Sequence, residues 1–135
     1  MLPDVLRDYP LKYLWAFKYD STLSGINVHA DFAAVNINFW ITPDDANLDK
    51  ENGGLIVYPV EAPADWNFHD INLDPDRMWR FIEQQGAAPV NVPYRENRAV
   101  IFNSDLFHTT APLRFKPGYE TRRINVTMLF GERAG

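Results

Sequence analysis

Apolar and aromatic positions fall in short runs, cut by turn residues. Leu11 to Tyr19 (LKYLWAFKY) reads as a strand rich in ring and β-branched side chains. Ile26 to Thr42 reads as two strand pieces with a bend near Asp31. Pro43 to Gly54 is a polar loop that ends in Asn52-Gly53-Gly54, a strong turn signal. Further short strands are expected at Leu55 to Val60, Val90 to Tyr94, Arg98 to Asn103, Phe107 to Leu113 and Arg123 to Gly131. One helix stands out: Asp74 can cap it, Pro75 suits its first position and Gly86 can close it. Met78, Phe81, Ile82 and Gln85 would line one face of this helix, with Trp79 beside them. Pro3 to Tyr9 adds at most a helical turn. Many short strands and one clear helix predict a mostly β protein, folded as a sandwich or barrel rather than an open sheet with long edges.

Composition narrows the chemistry. The 135 residues suit a single domain, and 46% hydrophobic with 14% aromatic residues suits a packed core. There are no cysteines, which excludes disulfide scaffolds, thiol nucleophiles and thiolate metal sites. A metal site must use Asp, Glu and the three histidines, His29, His69 and His108. The formal net charge is -5 with no basic run, so no nucleic-acid surface is expected. No apolar run is long enough to span a membrane, and no signal peptide is visible, so a soluble cytoplasmic protein is expected. Asn125-Val126-Thr127 matches a glycosylation sequon and is read as coincidence.

His29 and Asp31 are two apart, so on a strand they share a face and can hold one cation together. The plain reading is a histidine hydrogen-bonded to a nearby carboxylate. His108 adds a remote nitrogen, and two His with one carboxylate is the ligand set of a non-haem Fe(II) facial triad; zinc can use the same donors. Arg123, Asn125 and Thr127 share one strand face, opposite Ile124, Val126 and Met128. Such a face is either solvated or built to grip a carboxylate with a guanidinium fork, an amide and a hydroxyl. Arg122 points the other way, so only one of the two arginines can serve. His69 reads as a surface or lid residue, and Trp66 and Phe68 as a loop anchor or a pocket roof. Asn27 shares the face of His29. Asn36 and Asn38 must either face solvent or find partners inside. Trp40 and Tyr58 read as core or pocket wall.

In this order, His29-Ala30-Asp31, then His108, then Arg123-Ile124-Asn125, the chain resembles the 2-oxoglutarate- and Fe(II)-dependent dioxygenases. The segment NINFWITPDDANLDKENGGLIVYP and the run RAVIFNSDLFHTTAP are similar to the phytanoyl-CoA and prolyl hydroxylase groups of that superfamily. The resemblance implies a double-stranded β-helix, a cupin-like jelly-roll barrel with one short helix in an insertion. It implies Fe(II) on His29, Asp31 and His108, and 2-oxoglutarate held through Arg123 with Asn125 and Thr127. With O2, such an enzyme hydroxylates a small molecule or side chain and converts 2-oxoglutarate to succinate. Asn125 stands where Ser is more usual, and only about ten residues precede the first expected strand, where this family usually carries helices that buttress the outer sheet, so the core is expected to lack them. A homo-oligomer or another partner over that sheet is therefore expected. The alternatives are a non-catalytic or regulatory β-barrel that binds a ligand only, and a cupin-type metalloenzyme, which would want a second His at Asp31.

Overall fold

The computed structural model describes residues 2–20 and 25–134. A short helix α1 (Leu2–Leu6) leads into β1 (Leu11–Tyr19), and β2 (Val35–Trp40) and β3 (Leu55–Glu61) follow. Helices α2 (Phe68–Asn72) and α3 (Pro75–Gln85) come next, then β4 (Val90–Val92), β5 (Ala99–Asn103), β6 (Leu106–Thr110) and β7 (Arg123–Phe130). All the strand pairs are antiparallel. One sheet has the order β1-β7-β2-β5 and the other β4-β3-β6.

The helix signals acted as their chemistry requires. The Asp74 carboxylate accepts from Arg77 N–H at 3.0 Å, Pro75 opens α3, and Gly86 closes it in the left-handed region. Met78 and Ile82 are buried on one face of α3. Gln85 shares their spacing but is exposed, because an amide in the last turn keeps its partners by staying in water. The pattern did not predict α2. It is capped by Asn67, whose side chain accepts from Asp70 N–H while Asp70 accepts from Asn67 N–H.

Two apolar clusters show how the layers stack. Trp40 of β2 packs with Leu55 and Val57 of β3, Tyr94 and Phe115, so one core lies between the sheets. Val60, Phe107, Val28 and Ala30 pack with Ile71 of α2 and Met78 and Ile82 of α3, so a second core lies between the β3-β6 sheet and the helices. The second cluster fixes the orientation of the Ile26–Ala30 stretch. Two strand pieces were expected on either side of Asp31; the first is an extended segment docked on β6 through a single bridge, His29 to His108. Val28 and Ala30 turn toward the helices, so His29 and Asp31 face the gap between the sheets.

The β1-β7-β2-β5 sheet inverts the usual polarity. On β7, Arg123, Asn125 and Thr127 are buried, while Ile124, Val126, Met128 and Phe130 on its other face are only half-buried. On β2, Asn36 and Asn38 are buried on the inner side. Polar residues thus occupy the inner face of this sheet.

Truncating the helix-side core should cost stability without touching the inter-sheet gap. Met78 is fully buried, so Met78→Ala should destabilise by about 2–5 kcal/mol. Gln85→Ala on the exposed turn should stay within about 0.5 kcal/mol. Urea unfolding of the two variants checks this, and equal effects would contradict the assigned helix orientation.

Candidate metal centre

His29 and His108 face each other across an antiparallel bridge. His29 N–H donates to His108 O at 3.0 Å, and His108 N–H donates to His29 O at 2.9 Å. The two rings stand 4.3 Å apart between centroids. Each ring is oriented by its own backbone. The Nδ1 of His29 lies 2.8 Å from the Asn27 carbonyl, and the Nδ1 of His108 lies 2.9 Å from the Leu106 carbonyl. A carbonyl only accepts, so both Nδ1 atoms carry the proton and both Nε2 lone pairs are free, the arrangement that metal-binding histidines need.

Both Nε2 atoms approach Asp31. His108 Nε2 is 3.3 Å from Asp31 Oδ2, and His29 Nε2 is 4.0 Å from Oδ1. Asp31 is itself held by its N–H, which donates to Ser104 O at 3.0 Å. The three ligand atoms lie within 4.8 Å of one another, so this triad can hold a metal ion. His69 is exposed on α2 and lies apart from the cluster.

Electrostatics keep the donors ready. Burial, reinforced by the neighbouring His108, lowers His29 to about 4, so the ring is neutral at neutral pH. Burial alone would raise Asp31. The neighbouring His108 and His29, with the Asn36 amide that donates to the carboxylate, outweigh it and hold the carboxyl below the usual aspartate range. Two imidazole nitrogens and one carboxylate make a donor set suited to a divalent cation.

A chain of hydrogen bonds runs away from Asp31 through the sheet. Trp40 Nε1–H donates to Asn125 Oδ1 at 2.7 Å, and Asn125 Nδ2 donates to Thr127 Oγ1 at 2.8 Å. Thr127 donates to Asn38 Oδ1 at 3.3 Å, Asn38 Nδ2 to Asn36 Oδ1 at 2.7 Å, and Asn36 Nδ2 to Asp31 Oδ2. Every link donates in the same direction and ends on the carboxylate. Asn36 and Asn38 are therefore interior groups with partners, not solvated ones. Asn125 is 5% exposed, which removes the glycosylation reading of its sequon.

Arg123 is buried beside this chain, whereas Arg122 sits at the surface paired with Asp20 at 2.8 Å. Arg123 Nε donates to Gly53 O at 2.5 Å and its Nη2 to Gly54 O at 3.3 Å. The Asn-Gly-Gly turn is thus more than a bend, since its carbonyls cradle the guanidinium. Gly54 has no room for a side chain, because a Cβ there would stand 1.9 Å from Val92 O. Trp40, Tyr19 and Tyr94 surround the charge with rings 5.1 to 5.9 Å away. Arg123 Nη1 is buried and has no partner among the described residues. Burial lowers the guanidinium to about 10, which still leaves it charged at neutral pH. A buried cation with an unused donor can receive an anion.

His29, Asp31, His108, Arg123, Asn125 and Thr127 all line one narrow pocket of about 30 Å³. Trp15, Phe17 and Ile26 also line it, and with His29 and Asp31 they line a larger cavity of about 690 Å³ that reaches the surface. Asn27 and Phe68 line the larger cavity, while Trp66 is buried in the helix-side core. Trp40 belongs to the inter-sheet core, and Tyr58 meets Trp79 edge-on at 5.4 Å on the helix side. Four further neighbours of Arg123 carry no site signal in the sequence. Tyr19 and Tyr94 flank Arg123, and the Gly53 and Gly54 carbonyls act through main chain, for which no side-chain pattern exists. Arg133 pairs with Asp105 and donates to Trp66 O, Ala62 O and Pro63 O, which ties the chain's end to the loop before α2.

No family model and no curated protein matches the chain. Among solved structures, the crystal structure of EvdMO1 has the same fold, with a TM-score of 0.61 at 17% identity. The match covers 93% of this chain and 28% of that one, so the chain spans little more than a quarter of EvdMO1's length. No helix among the described residues is long and apolar enough to cross a membrane.

The lowered His29 links the site to stability. An unfolded His29 takes up a proton near pH 6.5, whereas the folded one does so only near 4. The folded state binds fewer protons between those values, so the apoprotein should lose stability as pH falls through that window. The loss should be on the order of 3 kcal/mol. Urea midpoints across the window should show it in the native protein and show a flatter profile in His29→Gln. The same slope in both would contradict the assignment.

Proposed function

We propose that the protein is an Fe(II)- and 2-oxoglutarate-dependent oxygenase that hydroxylates a small molecule or side chain. The observation that carries this reading is the buried Arg123, with its unpartnered Nη1, in the same narrow pocket as a His-Asp-His triad whose Nε2 atoms are free. A metal-chelating acid with a second carboxylate at its far end matches that pair of receptors. Nitrogen and oxygen donors alone fit ferrous iron.

The proposed fold is a double-stranded β-helix. Ile26–Ala30 lies along the free edge of β6 and widens the smaller sheet to four segments, opposite the four strands of the other. That layout supports a jelly roll with the triad between its sheets.

In this reading His29 and His108 offer Nε2 and Asp31 offers a carboxylate oxygen to Fe(II), and Arg123 receives the distal carboxylate of 2-oxoglutarate. Iron and co-substrate, with O2, supply hydroxylation coupled to decarboxylation to succinate. The chain's own residues hold and orient. The Nδ1 contacts to Asn27 O and Leu106 O fix both rings. The hydrogen-bond chain from Trp40 to Asn36 keeps Asp31 deprotonated and still. Asn125 and Thr127 form the pocket wall beside Arg123, and the Gly53 and Gly54 carbonyls position it for the carboxylate. The rings of Tyr19 and Tyr94 keep water from the guanidinium, which strengthens its hold on an anion. Trp15 and Phe17, shared by both cavities, set how much room the co-substrate has.

Anaerobic titration with Fe(II) and 2-oxoglutarate should give the weak visible charge-transfer band of a chelated keto acid, and air should then yield succinate. His29→Ala with Asp31→Ala should abolish the band. Arg123→Leu should weaken 2-oxoglutarate binding by roughly 30-fold or more while Fe(II) still binds. A band that survives the double substitution would overturn the metal assignment, and unchanged co-substrate affinity in Arg123→Leu would overturn the anchor.

A further inference from the structure

The larger cavity, about 690 Å³, has the size of a small-molecule site. One wall is the inner face of β1, where Tyr13, Trp15 and Phe17 follow at every second residue. Their ring centroids lie 6.5 and 6.4 Å apart, forming a continuous aromatic row. Phe32 and Phe68 also line the cavity. Tyr13, Phe17, Phe32 and Phe68 are 59%, 40%, 46% and 57% exposed, a large apolar area to leave in water without an occupant.

The charges in the cavity are already matched. Lys12 and Glu132 pair with each other. His29 and Asp31 belong to the metal centre. The amide atoms with recorded contacts face the protein: Asn27 Oδ1 accepts from Val28 N–H, and Asn72 Nδ2 donates to Ala30 O. No unpaired charge is left among the lining residues for a charged head group. Among the described residues that line this cavity, the Trp15 indole N–H is a buried donor with no partner, and Trp15 lines the narrow pocket as well.

We infer that this cavity binds a neutral molecule carrying a flat, apolar ring system, stacked against Tyr13, Trp15 and Phe17, with one acceptor oxygen for the Trp15 indole N–H. That it is the substrate rests on the oxygenase reading above; that it binds there rests on the cavity alone. Because His29 and Asp31 form part of the wall, such a ligand lies beside the metal centre. Aromatic stacking supplies the hold, and a single hydrogen bond sets the orientation.

The probe is 2-naphthol, a neutral two-ring molecule with one oxygen, titrated calorimetrically into the full chain without metal. Naphthalene-2-sulfonate and glucose are the charged and the polar controls. The expected result is binding of 2-naphthol about tenfold or more tighter than the sulfonate, and none of glucose. Tyr13→Ala with Phe68→Ala, both at exposed positions that line the larger cavity and not the narrow pocket, should weaken 2-naphthol by about tenfold or more and leave Mn(II) affinity unchanged. With Mn(II) loaded, the relaxation of the 2-naphthol protons should be strongly enhanced, and the double variant should lose that enhancement.

Equal binding of the sulfonate, binding of glucose, or 2-naphthol affinity untouched by the double variant would overturn the inference. So would a dimer in sedimentation that dissociates in the double variant, which would place a second copy on the aromatic face. If 2-naphthol binds the apoprotein as expected but neither Mn(II) nor Fe(II) binds, the oxygenase reading fails and the ligand assignment stands.

Discussion

Two main-chain hydrogen bonds, exchanged between His29 and His108, carry the rest of the site. They dock the extended stretch before Asp31 on β6 and set the two imidazoles opposite each other. The side-chain directions then follow from burial on the other face. Val28 and Ala30 are almost fully buried against Ile71 and Phe107, so a one-residue slip would drive two polar side chains into that core. The helix layer therefore aims His29 and Asp31 into the gap between the sheets. Carbonyls two residues back hold each ring by Nδ1, which leaves the same nitrogen free on both.

The second constraint is the polar interior. Buried amides and hydroxyls are costly unless each finds a partner. Here Asn36, Asn38, Thr127 and Asn125 satisfy one another in a single direction, from the Trp40 indole to the Asp31 carboxylate. The chain crosses between β2 and β7 because Asn38 and Thr127 are register partners. Arg123 lies on the same face of β7 and takes its contacts from the Gly53 and Gly54 carbonyls instead, with one nitrogen left over. A network whose members are satisfied, beside a cation that is not, separates scaffold from receptor.

Much of this was legible in the sequence, for local reasons. The α3 signals are contained in residues 74–86, and most strand runs carry their own ring and β-branched residues. His29 with Asp31, and Arg123 with Asn125 and Thr127, were legible because strand parity places side chains without knowledge of the fold; His108 was legible only as the third member of a ligand set. What was not legible depends on pairing between distant segments. The Asn36 and Asn38 alternation had two readings until the register of β2 with β7 chose between them. The first strand piece, Ile26 to Ala30, is a docked segment held by one bridge, and no local pattern distinguishes that from a ladder strand. The capping pair Asn67 and Asp70 was present in the sequence, but α2 has only five residues, too short for a helical period to emerge.

The central claim is that His29, Asp31 and His108 hold one ferrous ion while Arg123 holds the far end of a keto acid beside it. A crystal structure of the protein loaded anaerobically with Fe(II) and 2-oxoglutarate, with anomalous scattering recorded at the iron edge, tests it most directly. The account predicts one anomalous peak among His29 Nε2, His108 Nε2 and the Asp31 carboxylate, and a carboxylate within hydrogen-bond distance of Arg123 Nη1. Iron bound elsewhere, or Arg123 left without an anion while the keto acid sits in another pocket, would contradict it.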